Sequence, residues 1–537
     1  RRLAGNDPDV NEEWISDKDR FAFLYARQDD RLTRPLVRDE SGELRAASWS
    51  EAFEIAARGL RAAGPAGVLT GGRLTAEDAY AYAKFARVAL GTNDIDFRAR
   101  PHSIEEAEFL AAHVVLRRDV TYADLETVRC VVLLGLEPED EAPTIFLRLR
   151  KASHASKTPI WSVAPFTSRG LHKMGGRLIP TVPGEEGAAI AAIADNGEVA
   201  LDSGGVVLVG ERLAHAPGAL TAAADLARTT GARLAWVPRR AGDRGAVEVG
   251  ALPNLLPGGR PAADAAARVD LAAAWGVDSL PEAGGRDGNA IIAAAATGEL
   301  SALVVAGVDV GDLADPSLAR EALSRADFVV SLELRRSEVT ELADVVFPVA
   351  PMDDKSGSFV NWEGRLRSFD TVLGNPHALP DVRVLAGISE ELGAPLGIRT
   401  PAQAYAEMTQ VGPWDGPSTR SEQPTRPEQP TRHPGGYVLA SWKQLLDDGR
   451  MQDGDPYLRQ TARRPVVLVN ARTLAELGVA AGDDVRLSGE LGSLVLPVGV
   501  ADLVDGVVWA AASAPGADVR HLVGAAGSRV ELQGGGR

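Results

Sequence analysis

The hydrophobic positions of this chain form short, nearly continuous runs between residues 51 and 410. These runs alternate with Ala-rich helical stretches, and a Gly or an Asp often separates the two. Continuous apolar runs are typical of strands buried on both faces, as in a parallel sheet covered by helices. The runs that predict strands are 66–70, 130–134, 159–164, 206–210, 233–237, 302–307 and 327–332. This part of the chain is therefore predicted to be α/β.

Two helices near the start of this pattern have recognisable beginnings. One is predicted through 49–55 with Ser50 as its N-cap, and the other over 75–90, beginning at Thr75. The second helix follows Gly71-Gly72, whose backbone N–H groups could receive a phosphate. The same junction is an ordinary connection in any α/β sheet, so by itself it favours a structural role.

The pattern changes after residue 410. A Pro-rich stretch at 411–436 is predicted to be a solvated linker or loop. Short Val- and Leu-rich runs with Gly-Asp turns then predict a small closed β-barrel over 437–537. The runs lie at 466–469, 485–487, 494–498, 507–509 and 530–532. Residues 1–50 are polar and loop-rich, and we expect them to be too short to fold alone.

Composition excludes several classes of function. The net charge is −17 and there is no basic stripe, which argues against nucleic acid as a partner. An apolar stretch of about 20 residues is missing, so no membrane span is predicted. The single cysteine, Cys130, cannot form an intrachain disulfide and is predicted to be a buried core residue. Metal-ligand spacings and nucleophile motifs are absent from the sequence, so the residues alone do not predict an enzyme.

Two predicted strands end in a glycine followed by a carboxylate. Gly135 precedes Glu137 after the 130–134 run, and Gly307 precedes Asp309 after the 302–307 run. In a half-buried site a carboxylate repels a phosphate by an energy on the order of several kcal/mol. These junctions are therefore predicted to disfavour phosphate, and in a protein that binds another small ligand they would prefer a cationic or neutral one.

Several longer strings resemble the molybdopterin-oxidoreductase superfamily, and more closely its branch formed by the G subunits of bacterial NADH-quinone oxidoreductase, the respiratory complex I. The strings are NDPDVNEEWISDKDRF (6–21), GGRLTAEDAYAYAKFARVALGTNDIDFRAR (71–100), VEVGALPNLLPGGRP (247–261) and ELADVVFPVAPMDDKSGSFVNWEGRLRSF (341–369). The resemblance implies layered parallel sheets from two α/β domains interleaved over 51–410. It also implies a C-terminal double-psi barrel similar to a pterin-dinucleotide-binding domain.

The sequence departs from the molybdenum enzymes at the residues that hold their cofactor. In those enzymes a Cys, selenocysteine or Ser metal ligand follows a string like TNDIDFRAR, whereas here the chain continues Arg100-Pro101-His102-Ser103. Ser103 is offset from that position, although its oxygen could be considered as a ligand. The family's G-x-N-P phosphate loops correspond to the junctions at Gly135 and Gly307, and neither keeps the Asn. The resemblance therefore implies that the fold is kept and the pterin is lost.

A further departure concerns iron. Some G subunits have a Cys at the position of Ser16, as the fourth ligand of an extra [4Fe–4S] cluster, and a serine oxygen is a poorer iron ligand. We therefore expect Ser16 to cap a turn instead. The family carries its [2Fe–2S] and [4Fe–4S] clusters in an N-terminal ferredoxin-like region. Because the chain begins at Arg1 without a Met, we expect that region to precede it.

Three functions remain open at this stage. The first is a cofactor-free structural part of a proton-translocating NADH-quinone oxidoreductase, without catalytic or metal-binding residues. The intact subunit would relay electrons from NADH and flavin through iron–sulfur clusters toward quinone. It would contact the flavin subunit and other peripheral-arm subunits on the cytoplasmic side of the membrane, and residues 6–50 are expected to contact the cluster region. The second is a molybdenum- or tungsten-pterin oxidoreductase similar to formate dehydrogenase, and the third is a binding protein for another small ligand.

Overall fold

The computed structural model describes residues 2–375, 378–417 and 436–534. It divides into two compact units that alternate along the chain. Unit 1 consists of residues 1–28, 119–239 and 423–537, and unit 2 consists of residues 29–118 and 240–422. Most of the predicted Pro-rich loop, residues 418–435, lies outside the described residues.

The strands are β1 Leu36–Arg38, β2 Leu44–Ala46, β3 Ala66–Thr70, β4 Ile95–Asp96, β5 Cys130–Leu134, β6 Ile160–Ala164, β7 Arg177–Pro180, β8 Gly205–Gly210, β9 Arg233–Val237, β10 Leu255–Leu256, β11 Arg260–Pro261, β12 Ala302–Ala306, β13 Phe328–Glu333, β14 Val345–Pro348, β15 Gly357–Val360, β16 Leu366–Phe369, β17 Tyr437–Ala440, β18 Val467–Val469, β19 Asp484–Gly489, β20 Gly492–Val500, β21 Val507–Ala510 and β22 Arg529–Gly534.

The α-helices are α1 Asp17–Phe21, α2 Trp49–Ala63, α3 Ala76–Val88, α4 Ile104–His113, α5 Pro138–Glu141, α6 Pro143–Ser156, α7 Arg169–Lys173, α8 Glu186–Ala191, α9 Ala219–Thr230, α10 Asp243–Glu248, α11 Ala265–Trp275, α12 Gly288–Thr297, α13 Pro316–Arg325, α14 Glu338–Leu342, α15 Asp381–Glu391, α16 Pro401–Val411, α17 Pro456–Gln460, α18 Ala471–Leu477 and α19 Val519–Leu522. None of the helices in the described part of the chain is long and apolar enough to cross a membrane.

Unit 2 is built on a seven-stranded sheet in the order β2-β1-β14-β13-β12-β3-β4. Strands β14, β13, β12, β3 and β4 are parallel to one another, and β1 runs antiparallel to β14. Every residue of β3 and of β12 is buried, because helices cover both faces of the sheet. Ile291 of α12 and Val339 of α14 belong to the resulting core.

Unit 1 contains a five-stranded parallel sheet in the order β7-β6-β5-β8-β9. It also contains a closed six-stranded barrel in the order β17-β21-β18-β20-β19-β22. Along β19 the buried residues Val485 and Leu487 alternate with the exposed Asp484 and Arg486, so alternate side chains fill the barrel interior. Cys130 lies in β5 and is buried, and burial raises the pKa of its thiol to about 11.

The predicted fold class is confirmed, both for the α/β part and for the C-terminal barrel. The predicted strand runs from 66 to 332 all coincide with strands, within one residue at each end. The N-cap assigned to Ser50 is wrong, because Ser48 has the extended backbone and accepts a hydrogen bond from the backbone N–H of Glu51. Strand β17 of the barrel did not stand out as an apolar run in the sequence.

Candidate functional site

In both sheets the strand order reverses at one point, and this reversal marks the candidate sites. In open α/β sheets ligands bind beyond the carboxyl ends of the strands at such a switch point. The reversal lies between β5 and β8 in unit 1 and between β3 and β12 in unit 2. Gly135 and Gly307, which were singled out in the sequence, directly follow β5 and β12.

The switch point of unit 1 is filled by the chain itself. Gly135 has φ +59°, and a Cβ built on it would lie 2.6 Å from the backbone nitrogen of Leu213. Similarly, a Cβ on Gly210 would lie 2.3 Å from the carbonyl oxygen of Gly135. The loops after β5 and β8 are thus in direct contact, and Leu213 occupies the space beside Gly135.

Glu137 is buried beside this junction. Burial raises its pKa to about 7, an effect partly opposed by a hydrogen bond with Ser168 and reinforced by the nearby Asp140 and Glu141. The backbone N–H of Glu137 donates to the carboxylate of Glu141, at 2.6 Å. The surroundings of this turn are therefore rich in carboxyl groups, the feature from which the sequence predicts poor phosphate binding.

The switch point of unit 2 is also closed, but by a charged side chain. A Cβ on Gly71 would lie 1.9 Å from the carbonyl oxygen of Gly307, so the loops after β3 and β12 touch. Gly307 has φ +61°, and a Cβ on it would lie 2.3 Å from Nε of Arg73. The Arg73 side chain lies across this glycine and pairs with the buried Asp381, at 3.1 Å. Neither glycine turn offers a free cradle, so the residues present do not fit the phosphates of a pterin cofactor.

Asp309 has a local role in the structure. Its carboxylate accepts a hydrogen bond from the backbone N–H of Gly311, at 3.1 Å, and the residue is exposed. It therefore caps the short 3₁₀ turn Val310–Asp312 that follows β12.

The residues around 100–103, where a metal ligand would be expected, form buried ion pairs. A carboxylate oxygen of Glu106 lies 2.7 Å from Nη2 of Arg100, and the other lies 3.4 Å from Nη1 of Arg98. Nη2 of Arg98 lies 2.7 Å from a carboxylate oxygen of Asp96. Asp96, Arg98 and Glu106 have fully buried side chains. Although burial acts to raise the pKa of Asp96, the Arg98 guanidinium holds it well below its usual range. We call Asp96, Arg98, Arg100 and Glu106 the ion cluster.

Ser103 and His102 are engaged beside the ion cluster. Ser103 is the N-cap of α4, and its hydroxyl accepts a hydrogen bond from the backbone N–H of Glu106 at 3.3 Å. Nδ1 of His102 lies 2.7 Å from the carbonyl oxygen of Arg100, and its Nε2 lies 3.7 Å from a carboxylate oxygen of Asp96. The described residues contain no group of three or more His, Cys, Asp or Glu that could hold a metal ion.

Ser16 caps α1 in unit 1. Its hydroxyl oxygen accepts a hydrogen bond from the backbone N–H of Asp19, at 3.1 Å, and its O–H donates to the carboxylate of the same residue. The adjacent Lys18 binds Asp447 at 2.8 Å, and Asp447 also pairs with Arg239 at 3.0 Å. These contacts fasten the N-terminal segment within unit 1.

A cavity of about 590 Å³ lies in unit 1, between the loops after β6, β7 and β8 and the barrel. Its lining includes carboxylates of Glu185, Glu186 and Asp505 together with Arg212 and Trp442. Arg212 stacks on the Trp442 ring at 5.1 Å and pairs with Glu141. The guanidinium of Arg212 is therefore already neutralised within the protein, although the cavity is large enough for a small molecule.

Sequence reasoning missed Arg73 and the ion cluster. Arg73 and every member of the ion cluster except Glu106 lie inside the 71–100 string that carried the family resemblance, and they place charged residues in a segment that is otherwise buried. Charged residues in such a segment require partners, which is a signal available in the sequence. The sequence does not show which residues these partners are, because Asp381 lies 308 residues from Arg73.

Comparison with known proteins gives two family matches. Residues 31–390 match the molybdopterin oxidoreductase family, and residues 438–531 match the molydopterin dinucleotide binding domain. Acetylene hydratase from Pelobacter acetylenicus has a similar fold, with a TM-score of 0.57 and 14% sequence identity over 94% of this chain and 88% of the hydratase. At this identity the likeness concerns the fold alone.

Similarity to two curated sequences is much higher. The G subunit of NADH-quinone oxidoreductase from Mycobacterium tuberculosis is 54% identical over 100% of this chain and 68% of its own length. The corresponding G subunit of Streptomyces coelicolor is 50% identical over 98% of this chain and 66% of its own length. The F420-dependent formate dehydrogenase subunit alpha of Methanocaldococcus jannaschii is 25% identical over 85% of this chain and 77% of its own length. This chain, which spans about two thirds of the length of those two G subunits, belongs to the family of NADH-quinone oxidoreductase G subunits, within the molybdopterin oxidoreductases.

Proposed function

We propose that this chain is a cofactor-free structural part of the G subunit of an NADH-quinone oxidoreductase. In this proposal it has no catalytic residue and binds neither pterin nor metal. The observation that carries it is the closure of both switch points by the chain's own residues, Leu213 in unit 1 and Arg73 in unit 2. A dinucleotide of the pterin type needs backbone N–H groups and space at these turns.

The former metal position supports the same function. A metal ligand at 100–103 would have to lie beside a buried network in which Asp96 and Glu106 are already paired with arginines. Breaking such a network by removing one partner costs about 3–5 kcal/mol. Ser103 is committed to capping α4, and Ser16 to capping α1. Neither serine is therefore proposed as a metal ligand.

The role of the intact subunit follows from the family. We propose that it relays electrons from NADH and flavin toward quinone through [2Fe–2S] and [4Fe–4S] clusters of the intact subunit, in a proton-translocating complex. Its partners would be the flavin-bearing subunit and other subunits of the peripheral arm, on the cytoplasmic side of the membrane. The part described here would keep the cluster region and its neighbours at fixed spacing. The N-terminal segment supports this role, because Lys18 and the buried Asp447 fix it to unit 1.

A second candidate is a molybdenum- or tungsten-pterin oxidoreductase. The fold and the distant similarity to a formate dehydrogenase subunit favour it. The 590 Å³ cavity of unit 1 also leaves space for a ligand. It requires a metal ligand near Ser103 and open phosphate cradles, and the residues at both places have other partners.

Metal and pterin analysis of the intact protein, purified from its source, tests the proposal. Molybdenum, tungsten and iron are measured by mass spectrometry, and pterin is measured by the fluorescence of its oxidised form. We expect iron and no pterin. Molybdenum or tungsten together with pterin at about one equivalent would refute the cofactor-free function and favour the second candidate.

A further inference from the structure

The guanidinium of Arg73 is surrounded by hydrogen-bond acceptors whose arrangement is specific for a guanidinium ion. Its Nη2 donates to one carboxylate oxygen of Asp381 at 3.1 Å, and its Nη1 donates to the other at 3.3 Å. Nη2 also donates to the carbonyl oxygen of Leu332 at 3.1 Å. Two parallel bonds to one carboxylate are the geometry that distinguishes a guanidinium from an ammonium ion.

The acceptor of this site is held in place independently of Arg73. The Asp381 carboxylate is fully buried and accepts a hydrogen bond from the hydroxyl of Tyr82 at 3.0 Å. Nζ of Lys355 lies 3.4 Å from the same carboxylate and 2.6 Å from Asp78. Removal of the Arg73 side chain would therefore leave a preorganised carboxylate that lacks one of its cationic partners.

The Arg73 site lies at the switch point between β3 and β12, where an α/β sheet of this kind binds its ligand. Gly307 has no Cβ, and the Arg73 side chain fills the space that a Cβ would take. The Arg73 side chain remains 21% exposed, so solvent reaches the site at one side.

We propose that Arg73 is an internal ligand, and that its guanidinium occupies a preformed guanidinium-binding site at the unit 2 switch point. The site is selective for a monovalent guanidinium cation, which is opposite in charge to a phosphate. It is closed because Arg73 fills it. The proposal concerns this switch point alone and does not depend on the electron-transfer role of the intact subunit.

Chemical rescue of Arg73→Ala in the full chain tests the proposal. Methylguanidinium is titrated at low millimolar concentration into the variant and the unaltered protein, with calorimetry and the thermal midpoint as readouts. We expect methylguanidinium to bind Arg73→Ala saturably and at least about tenfold more tightly than methylammonium does, because only a guanidinium can donate two parallel hydrogen bonds to the Asp381 carboxylate. The thermal midpoint should rise with occupancy, and the unaltered protein should show neither effect.

Arg320→Ala is the matched control. Arg320 makes a two-point contact with Glu338 in the same unit, at 3.0 and 3.2 Å, but both side chains are about half exposed. Because no enclosed site remains after its removal, methylguanidinium should not bind this variant measurably. Equal responses of the two variants, or no preference over methylammonium, would overturn the proposal.

A double-mutant cycle with Gly307→Ala provides a second measurement. The strain of an Ala at φ +61° is common to both backgrounds, whereas the collision with Arg73 exists only when Arg73 is present. Gly307→Ala should therefore lower the thermal midpoint more in the unaltered protein than in Arg73→Ala. If Arg73→Ala does not fold, Arg73→Ser, which also lacks the Cδ and Nε atoms that the added Cβ would meet, replaces it in the cycle. Equal effects in the two backgrounds would show that Arg73 does not fill the site.

Discussion

The ion cluster of unit 2 predicts a large loss of stability on Glu106→Gln. Glu106 is fully buried and is the carboxylate partner of Arg100, at 2.7 Å, and a second partner of Arg98, at 3.4 Å. Gln keeps the shape of the side chain and removes its charge, so Arg100 loses the buried carboxylate that it binds at 2.7 Å. Removing one member of a buried ion pair costs about 3–5 kcal/mol, because the remaining buried charge is less well compensated.

The matched control is Glu338→Gln. Glu338 makes a two-point contact with Arg320, but its side chain is 52% exposed. A surface pair of this kind contributes about 0–1 kcal/mol, since water replaces the lost partner. The same chemical change at an exposed and at a buried carboxylate therefore isolates the effect of burial.

Urea denaturation at pH 7 measures the free energy of unfolding of Glu106→Gln and of Glu338→Gln, each relative to the unaltered protein. Because the chain has two units, hydrogen exchange followed by mass spectrometry is used to assign the loss to unit 2. Glu106→Gln should reduce protection in α4, which begins two residues before Glu106. If the two variants differ by less than about 1 kcal/mol, the buried cluster is not a main support of this region and the reasoning fails.

Three further outcomes follow from single residues. The pKa of Glu137 is raised to about 7 in the fold, so the folded state binds its proton more tightly, and stability should fall as pH rises from about 4.5 to about 7. Glu137→Gln should remove most of that slope, on the order of 3 kcal/mol, in urea titrations at a series of pH values; an unchanged slope would contradict the assignment. Cys130, buried and with a pKa raised to about 11, should resist iodoacetamide at pH 8 until urea unfolds unit 1, whereas rapid labelling of the folded protein would show that β5 opens. Ser103→Ala should lower stability by about 0.5–2 kcal/mol through the lost N-cap and leave the metal content of the intact protein unchanged; a drop in bound metal would make Ser103 a ligand.

The sequence could predict the sheets because their strands carry a strong local signal. β5 and β12 are continuous apolar runs that remain recognisable without knowledge of their neighbours. β17 has only four residues and follows the Pro-rich stretch, and its partners β21 and β22 lie far along the chain. The N-cap of α2 was misplaced for a different reason: Ser48 and Ser50 flank Trp49, and only the backbone conformation decides which hydroxyl faces the helix.

The sites could be predicted only in part, because what closes them is decided by distant residues. Glycines followed by carboxylates led to the prediction that the turns after β5 and β12 are poor phosphate sites, and this stays a prediction. The reason given was charge, and Glu137 is buried beside its turn with a pKa raised to about 7. At Asp309 the carboxylate is exposed and caps a turn, so there the main obstacle is steric, namely Arg73 across Gly307.

Leu213 and Arg73 each fill the switch point of one sheet, but removing them would have different consequences. Leu213 fills the unit 1 switch point with backbone and an aliphatic side chain, so its removal would leave a void but would free no charged partner. Arg73 fills the unit 2 switch point with a cation held by the buried Asp381, so its removal would leave a negative site. An anionic ligand would have to displace Arg73 and approach Asp381. Reversal to phosphate binding in unit 2 therefore requires at least two changes, at Arg73 and at Asp381, whereas a guanidinium ligand requires only one.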